Sequence, residues 1–159
     1  MAHSDRHALA PDHRARASSF ADDGRMISTE LASRLRDAGL VWRPADGDQF
    51  RIDQPELEAD VFTVSTMTIE ARHFPTGTIL GFNGTTEWAL DSVAIEDALW
   101  LPREDQLRAL LRSTFRSLRR TDGGFEVEID LQGAARVFDS TEPSDAYAEA
   151  LLALIELST

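Results

Sequence analysis

Two residue types are absent from this chain of 159 residues: it has no cysteine, and all of its 16 basic residues are arginine, so it has no lysine either. The missing cysteines exclude disulfides, a thiolate nucleophile and cysteine-ligated zinc. The missing lysines exclude a Schiff-base lysine and the lysine of a phosphate-binding P-loop. These absences remove several common enzyme classes before any motif is considered.

The sequence also lacks long apolar runs and the common catalytic motifs. No stretch approaches the roughly 18 apolar residues of a membrane-spanning helix, and residues 1–25 lack the apolar segment of a secretory signal. The motifs G-x-S-x-G, H-E-x-x-H and G-x-G-x-x-G and the EF-hand loop do not occur. We therefore expect a cytoplasmic protein that binds no cofactor or metal.

Negative charge is unevenly distributed along the chain. The formal net charge is −12; residues 1–25 carry four arginines and four aspartates, whereas residues 26–159 carry 12 arginines and 24 acidic residues. Such a body repels the phosphates of nucleic acids and anionic membranes, so neither is an expected partner. An acidic surface most often serves solubility, and the alternative is a surface that binds a basic protein.

The chain is predicted to consist of a terminal arm and one folded domain. Residues 1–25 contain few large apolar side chains and bury too little surface to offset the entropy of ordering, so they form a flexible arm or extension. Its histidines, His3, His7 and His13, are interpreted as incidental rather than as metal ligands. Residues 26–159 are predicted to form one compact α+β domain, in which two short antiparallel β-meanders form a sheet packed by about three helices.

The three helices are predicted from capping residues and apolar spacing. The first spans about 28–38, with Ser28 as the N-cap and Gly39 as the stop. The second begins near Pro102, because proline suits the first turn of a helix. The third spans about 142–157, and its apolar stripe is interpreted as core rather than as a partner-binding face.

The first meander is predicted to begin with one long strand. Apolar residues alternate through residues 60–74, with a one-residue phase slip that indicates a β-bulge near Ser65 and Thr66. Residues 75–77, Pro-Thr-Gly, then form a turn. Asn83 and Gly84 follow between two strand-like runs and predict a two-residue type I′ hairpin, which would place Leu80 opposite Glu87 and Ile79 opposite Trp88.

The second meander is predicted from two further turns. Asp-Gly at 122–123 and Gln-Gly at 132–133 each reverse the chain between strand-like runs. The first turn sets Leu118 opposite Val127, and the second sets Val127 opposite Phe138. Two independently chosen turns therefore predict one buried row across the three strands. The row consists of Leu118, Val127 and Phe138, and the pair Arg119 and Glu126 is expected on the opposite, wetter face.

The segment "GFNGTTEW", residues 81–88, suggests a candidate binding site. The hairpin explains these residues without a ligand, because Trp88 pairs across the strands. Alternatively, Thr85 caps a helix over about 86–93. In the functional interpretation, a small polar patch binds a ligand through Asn83, Glu87, Trp88 and Asp91.

Four segments carry a resemblance to a known family. They are "MISTELASRLRDAGLVW", "ILGFNGTTEWALDSV", "ALWLPREDQLRALL" and "DAYAEALLALIEL", spread over residues 26–157. They resemble a family of small actinobacterial proteins, some of which carry the label pilus assembly protein CpaE. Proteins of that name resemble ATPases with a P-loop lysine, a residue that this chain does not have. The resemblance therefore implies a small stand-alone cytoplasmic domain, and the ATPase activity of those proteins is not carried over to this chain.

Three functions are consistent with these observations. The first is a soluble acidic binding or accessory domain without catalytic activity, either alone or as a homo-oligomer. The second is a small carboxylate-based enzyme that uses Asn83, Glu87 and Asp91. The third is a phage-defence or immunity-type inhibitor that binds a basic protein.

Overall fold

The computed structural model describes residues 26–57, 60–65, 68–82 and 92–158. This part of the chain contains three α-helices and three antiparallel sheets of three strands each. The α+β class and the number of helices predicted from the sequence are therefore confirmed. The two predicted meanders are separate sheets, and a third sheet joins strands from distant parts of the chain.

Helix α1 spans Thr29–Asp37, as predicted. The Ser28 hydroxyl caps its first turn by accepting a hydrogen bond from the Leu31 N–H at 3.4 Å. The helix ends because Gly39 takes a φ of 102°, a conformation that favours glycine. The Ser28 N–H in turn donates to Asp145 at 2.7 Å, which joins the start of this helix to the last helix of the chain.

Helix α2 spans Glu104–Leu111 and starts later than predicted. Arg103 is its N-cap residue, and its N–H donates to the side-chain Oε1 of Gln106 at 3.0 Å. Pro102 lies before the cap rather than in the first turn, because strand β6, Ala98–Leu101, continues up to it. The prediction that Pro102 lies in the first helical turn was wrong, because the residues immediately before it belong to a strand.

Helix α3 spans Pro143–Glu156 and lies at the centre of the larger core. It packs against α1, α2 and the last sheet of the chain. Ala146, Tyr147 and Ala150 are almost completely buried, so the apolar stripe is core, as predicted. This first core is formed by the three helices together with Leu99, Leu101, Val127 and Ile129.

The last sheet consists of β7 (Phe115–Thr121), β8 (Gly124–Leu131) and β9 (Ala134–Ser140). Leu118 lies opposite Val127, and Val127 lies opposite Phe138, which confirms the predicted row. Gln132 and Gly133 have φ values of 54° and 85°, as a type I′ turn requires. Local turn residues therefore set the register of this sheet.

The predicted long strand is two strands that belong to different sheets. Strand β2 spans Phe62–Thr63 and β3 spans Ile69–Phe74. Between them the chain reverses, because the Ser65 N–H donates to the Ile69 carbonyl at 2.7 Å and the Ile69 N–H donates back at 3.0 Å. The phase slip is a chain reversal rather than a bulge. The reversal lets Phe62, Val64 and Ile69 enter the same core.

Strand β3 forms a hairpin with β4, Gly77–Phe82, through the predicted turn at Pro75 and Thr76. Strand β5, Ser92–Ala94, completes this sheet. Its register contradicts the predicted Asn83-Gly84 hairpin, because Leu80 lies opposite Val93 instead of Glu87. The register places Val93 beside Leu80 in the core, and this burial outweighs the local turn preference. In the same register, Ile79 lies opposite Ala94 instead of Trp88.

The third sheet has the order β2-β1-β6, in which β1 spans Gln49–Ile52. It buries both faces. Phe50, Ile52 and Ala98 point into a second core that also contains Phe62, Val64, Ile69, Leu80 and Val93. On the opposite face, Leu99 and Leu101 point into the first core. This sheet therefore separates and supports both cores.

We expect the substitution Gly124→Ala to destabilise the last sheet strongly. Gly124 has a φ of 139°, and an added Cβ would overlap the Ser140 carbonyl oxygen and lie 2.8 Å from the Thr141 Cα. The positive φ and the steric overlap together should lower the free energy of unfolding by on the order of 3 kcal/mol, measured by urea unfolding. Gly123→Ala is the matched control: its Cβ would meet nothing within 4 Å, so a change of under about 0.5 kcal/mol is expected. Equal stability of the two variants would contradict the described turn.

Candidate functional site

The patch predicted from the sequence lies outside the described residues. Asn83, Glu87, Trp88 and Asp91 all fall within residues 83–91, between strands β4 and β5. The residues on either side are described: Phe82 is half-buried against the second core, and Ser92 is exposed. The patch stays a prediction.

The described residues contain a buried carboxylate that sequence reasoning missed. Asp48 is 3% exposed, and both of its oxygens accept hydrogen bonds. Oδ2 accepts from the Trp42 indole N–H and the Ala45 N–H, both at 2.9 Å. Oδ1 accepts from the Gln106 side-chain amide at 2.6 Å. A buried carboxylate needs such partners because desolvation is costly for an unpaired charge.

The Asp48 cluster, which consists of Asp48, Trp42, Gln106 and Arg103, joins the loop before β1 to the start of α2. Arg103 lies at its edge, with Nη1 4.0 Å from Asp48 Oδ1 and 2.8 Å from the Gly47 carbonyl to which it donates. The Val64 N–H donates to the Asp48 carbonyl at 2.8 Å, which ties the loop to the β2 end of the third sheet. The Trp42 ring also stacks on Trp100 of β6 at 6.3 Å. Both carboxylate oxygens are engaged and Asp48 is almost fully buried, so the contacts of the cluster indicate a structural role.

One indirect signal for this cluster is present in the sequence. The segment "PADGDQ", residues 44–49, contains two aspartates, Asp46 and Asp48. Asp46 is exposed and Asp48 is buried, although the two have similar sequence neighbours. A tryptophan six residues before Asp48 needs an acceptor for its indole N–H when buried, and that requirement was the available clue.

A small groove lies between α1 and the third sheet. It has a volume of about 80 Å³ and is lined by Ser33, Arg36, Arg51, Ile52, Asp53 and Leu99. The buried Arg51 Nε has no hydrogen-bond partner among the described residues. The volume suits a few water molecules and is below the roughly 300 Å³ of a small-molecule site.

The most distinctive described surface is the outer face of the last sheet. We define this outer face by five residues: Glu126, Glu128 and Asp130 of β8, and Val137 and Asp139 of β9. In the register of these two strands, Glu126 lies opposite Asp139 and Glu128 lies opposite Val137. The opposite face of the sheet packs on α3. Val137 is 51% exposed, so an apolar side chain lies among four carboxylates.

The carboxylates of the outer face fall into two classes. Arg119 binds Glu126 at 2.6 Å, which places this pair on the wetter face as predicted, and Arg116 binds Asp130 at 2.9 Å. The hydrogen bond from Arg116, assisted by the Gly133 N–H, holds the pKa of Asp130 below its usual value. Glu128 and Asp139 form no ion pair with any other described residue. The outer face therefore presents two carboxylates that are available to a partner.

Tyr147 is the second group with a shifted pKa. Burial at the centre of the first core raises the pKa of its phenol, the nearby Glu104 carboxylate raises it further, and Arg108 opposes both effects. The ring packs against Phe115 at 5.7 Å, and the Arg108 guanidinium lies over that second ring. These contacts join α2, β7 and α3 around one buried hydroxyl.

Two kinds of feature are absent from the described part of the chain. Its residues include no group of three or more histidine, aspartate or glutamate side chains arranged to hold a metal ion. None of its helices combines the length and the apolar composition that crossing a membrane requires. His73, the histidine of strand β3, lies 3.0 Å from the Thr78 hydroxyl across the hairpin.

Comparison with known proteins returned no match among protein-family models, curated proteins or solved structures.

We expect Asp48→Asn to destabilise the protein by about 1–3 kcal/mol, measured by urea unfolding. Asparagine keeps the shape but replaces one acceptor oxygen with a donor, so it cannot accept from all three groups that now donate to Asp48. Asp97→Asn is the control, because Asp97 is exposed at a surface turn and should change stability by less than about 0.5 kcal/mol. If the two substitutions have equal effects, Asp48 does not hold the loop, the sheet and α2 together.

We expect alkaline destabilisation that depends on Tyr147 alone. The chain has one tyrosine and neither cysteine nor lysine, so no other side chain has an ordinary pKa between about 9 and 12. Because the folded state raises the pKa of Tyr147, its contribution to stability is complete below the unfolded pKa of about 10. That contribution is lost as the pH rises through the folded value.

Two measurements test this expectation. Tyrosinate absorbance should titrate at a higher pH in the folded protein than in denaturant, and the free energy of unfolding should decline above pH ~10. In Tyr147→Phe the decline should vanish, because no group remains to titrate. A parent protein whose stability is unchanged over this range would show that burial does not disfavour the phenolate.

Proposed function

We propose that this protein is a non-catalytic binding domain whose outer face contacts a basic surface of another protein. One observation carries the proposal: an open sheet face presents four carboxylates around the exposed Val137, while its opposite face is committed to the core. Such a mixture of charge and one apolar contact is suited to protein recognition rather than to chemistry.

The charge distribution supports this function in two ways. The net charge of −12 attracts a basic partner from a distance and raises the rate of encounter. At short range, Glu128 and Asp139 meet cationic side chains, while the ion pairs of Arg119 and Arg116 fix the neighbouring carboxylates. The fixed carboxylates lose less side-chain entropy when a partner binds. An immunity-type inhibitor of a basic protein is one form of this function.

Binding is better supported than catalysis because the buried carboxylate of the described residues is engaged on both oxygens and almost fully shielded from solvent. Asp48 accepts three hydrogen bonds, whereas a general base needs a lone pair directed at its substrate. The alternative of a carboxylate enzyme depends on Asn83, Glu87 and Asp91, which lie outside the described residues. No contact on the described surface favours that alternative.

A pair of double variants with equal charge tests the proposal. Glu128→Gln with Asp139→Asn removes two charges from the outer face, and Glu96→Gln with Asp97→Asn removes two exposed charges elsewhere. A short arginine-rich peptide serves as the first probe, with affinity measured by fluorescence anisotropy. Each exposed ion pair contributes up to about 1 kcal/mol, so the outer-face variant should bind roughly tenfold more weakly at low salt.

The control variant should keep an affinity close to that of the parent, although its net charge is the same. The same comparison then applies to any protein captured from an extract of the cells that make this chain. Equal weakening by both double variants would show that only net charge matters and that the outer face is not the site.

A further inference from the structure

The two edges of the last sheet are protected to different degrees. On β7, the register shifts between Phe115 and Ser117, which is a bulge, and three arginines line the strand. Bulges and charged side chains discourage pairing with another chain. On β9, by contrast, seven residues pair with β8 without interruption, and the strand contains no proline and one arginine, Arg136. Strand β9 is therefore the less protected edge.

The backbone groups of β9 that pair with no other described strand can be assigned from the turn that precedes β9. Leu131 and Ala134 close the two-residue turn at Gln132 and Gly133, so they form a hydrogen-bonded pair. Because successive residues alternate, Ala135 and every second residue after it direct N–H and C=O away from β8. These residues are Ala135, Val137 and Asp139, and all three are exposed.

We propose that β9 pairs antiparallel with β9 of a second copy of this chain, with Val137 at the twofold axis. In this register, Val137 lies opposite Val137 of the second copy, and Ala135 lies opposite Asp139. These three pairs across the axis are the ones with outward backbone groups, so each can form its two hydrogen bonds. The result is a continuous sheet of twice the width, with closed twofold symmetry.

Side-chain chemistry favours this register over its neighbours. It places the Arg136 guanidinium opposite the Phe138 ring of the second copy, a cation–π arrangement, and the small Ala135 leaves room beside Asp139. A shift of two residues in one direction places Arg136 opposite Arg136, which is repulsive. The opposite shift places Asp139 opposite Val137, which desolvates a carboxylate against an apolar side chain. Shifts of one residue are excluded because they would place residues whose side chains point to opposite faces of the sheet directly across from each other.

A second copy fits this edge better than an unrelated peptide because β9 is self-complementary about Val137. The pairing sets Val137 beside Val137 of the second copy on the outer face and pairs the backbone groups of both β9 edges. It also places two outer faces next to each other on the same side of the widened sheet. This pairing is independent of the proposed function, because it uses the backbone groups of the strand edge and not the carboxylates.

Sedimentation equilibrium over a concentration series tests the pairing. The parent chain should show a reversible monomer–dimer equilibrium, and Val137→Lys should raise the dimer dissociation constant more than about tenfold, because two like charges would meet on the axis. Val41→Lys is the matched control: Val41 is 74% exposed and lies outside the strands, so the parent equilibrium should remain. A parent that stays monomeric at the highest concentration, or a Val137→Lys variant that dimerises like the parent, would overturn the proposal.

Two further measurements separate loss of pairing from loss of fold. Ala135→Pro removes an N–H that points away from β8, so the circular dichroism spectrum should match the parent while the dimer is lost. In hydrogen exchange, the amides of Ala135, Val137 and Asp139 should become more slowly exchanging as the parent concentration rises. Protection of these amides that does not depend on concentration would show that the edge is covered within one chain, and the pairing would be rejected.

Discussion

The pairing of β1 with β6 is the constraint on which the rest of the described structure depends. It brings Phe50 opposite Trp100 across about fifty residues of sequence and creates a sheet that is apolar on both faces. One face closes the helical core through Leu99 and Leu101, and the other closes the second core through Phe50 and Ile52. Removing this sheet would leave both cores without one wall, so its formation couples the two halves of the fold.

Asp48 shows how a buried charge can specify such an arrangement. Its partners come from the preceding loop and from α2, while its backbone carbonyl accepts from Val64 beside β2. A buried carboxylate with satisfied oxygens adds little net stability, but it is costly in any arrangement that leaves it unpaired. The cluster therefore selects one position of α2 relative to the third sheet. That position fixes where Tyr147 is enclosed, because Glu104 and Arg108 of α2 lie beside its phenol.

The surface properties follow from the part of the fold that is least enclosed. The last sheet covers the helices with one face, which leaves a face and an edge for contacts with other molecules. Under the two proposals, partner binding would use the carboxylate side chains of the outer face and self-association would use the backbone groups of the β9 edge, with Val137 and Asp139 belonging to both surfaces. A dimer formed through β9 would present two outer faces together, and bivalent contact raises the avidity for a partner with two basic sites.

The sequence by itself determined the elements that depend on nearby residues: the capped α1, the buried stripe of α3, and the meander whose turns place Leu118, Val127 and Phe138 in one row. Tertiary structure alone decided the third sheet, the chain reversal at Ser65 and the partner of Leu80, because each is set by burial between distant segments. It also made Asp48 a buried cluster rather than a loop residue. Caps and tight turns act over a few residues, whereas burial depends on segments that meet only after the chain has folded.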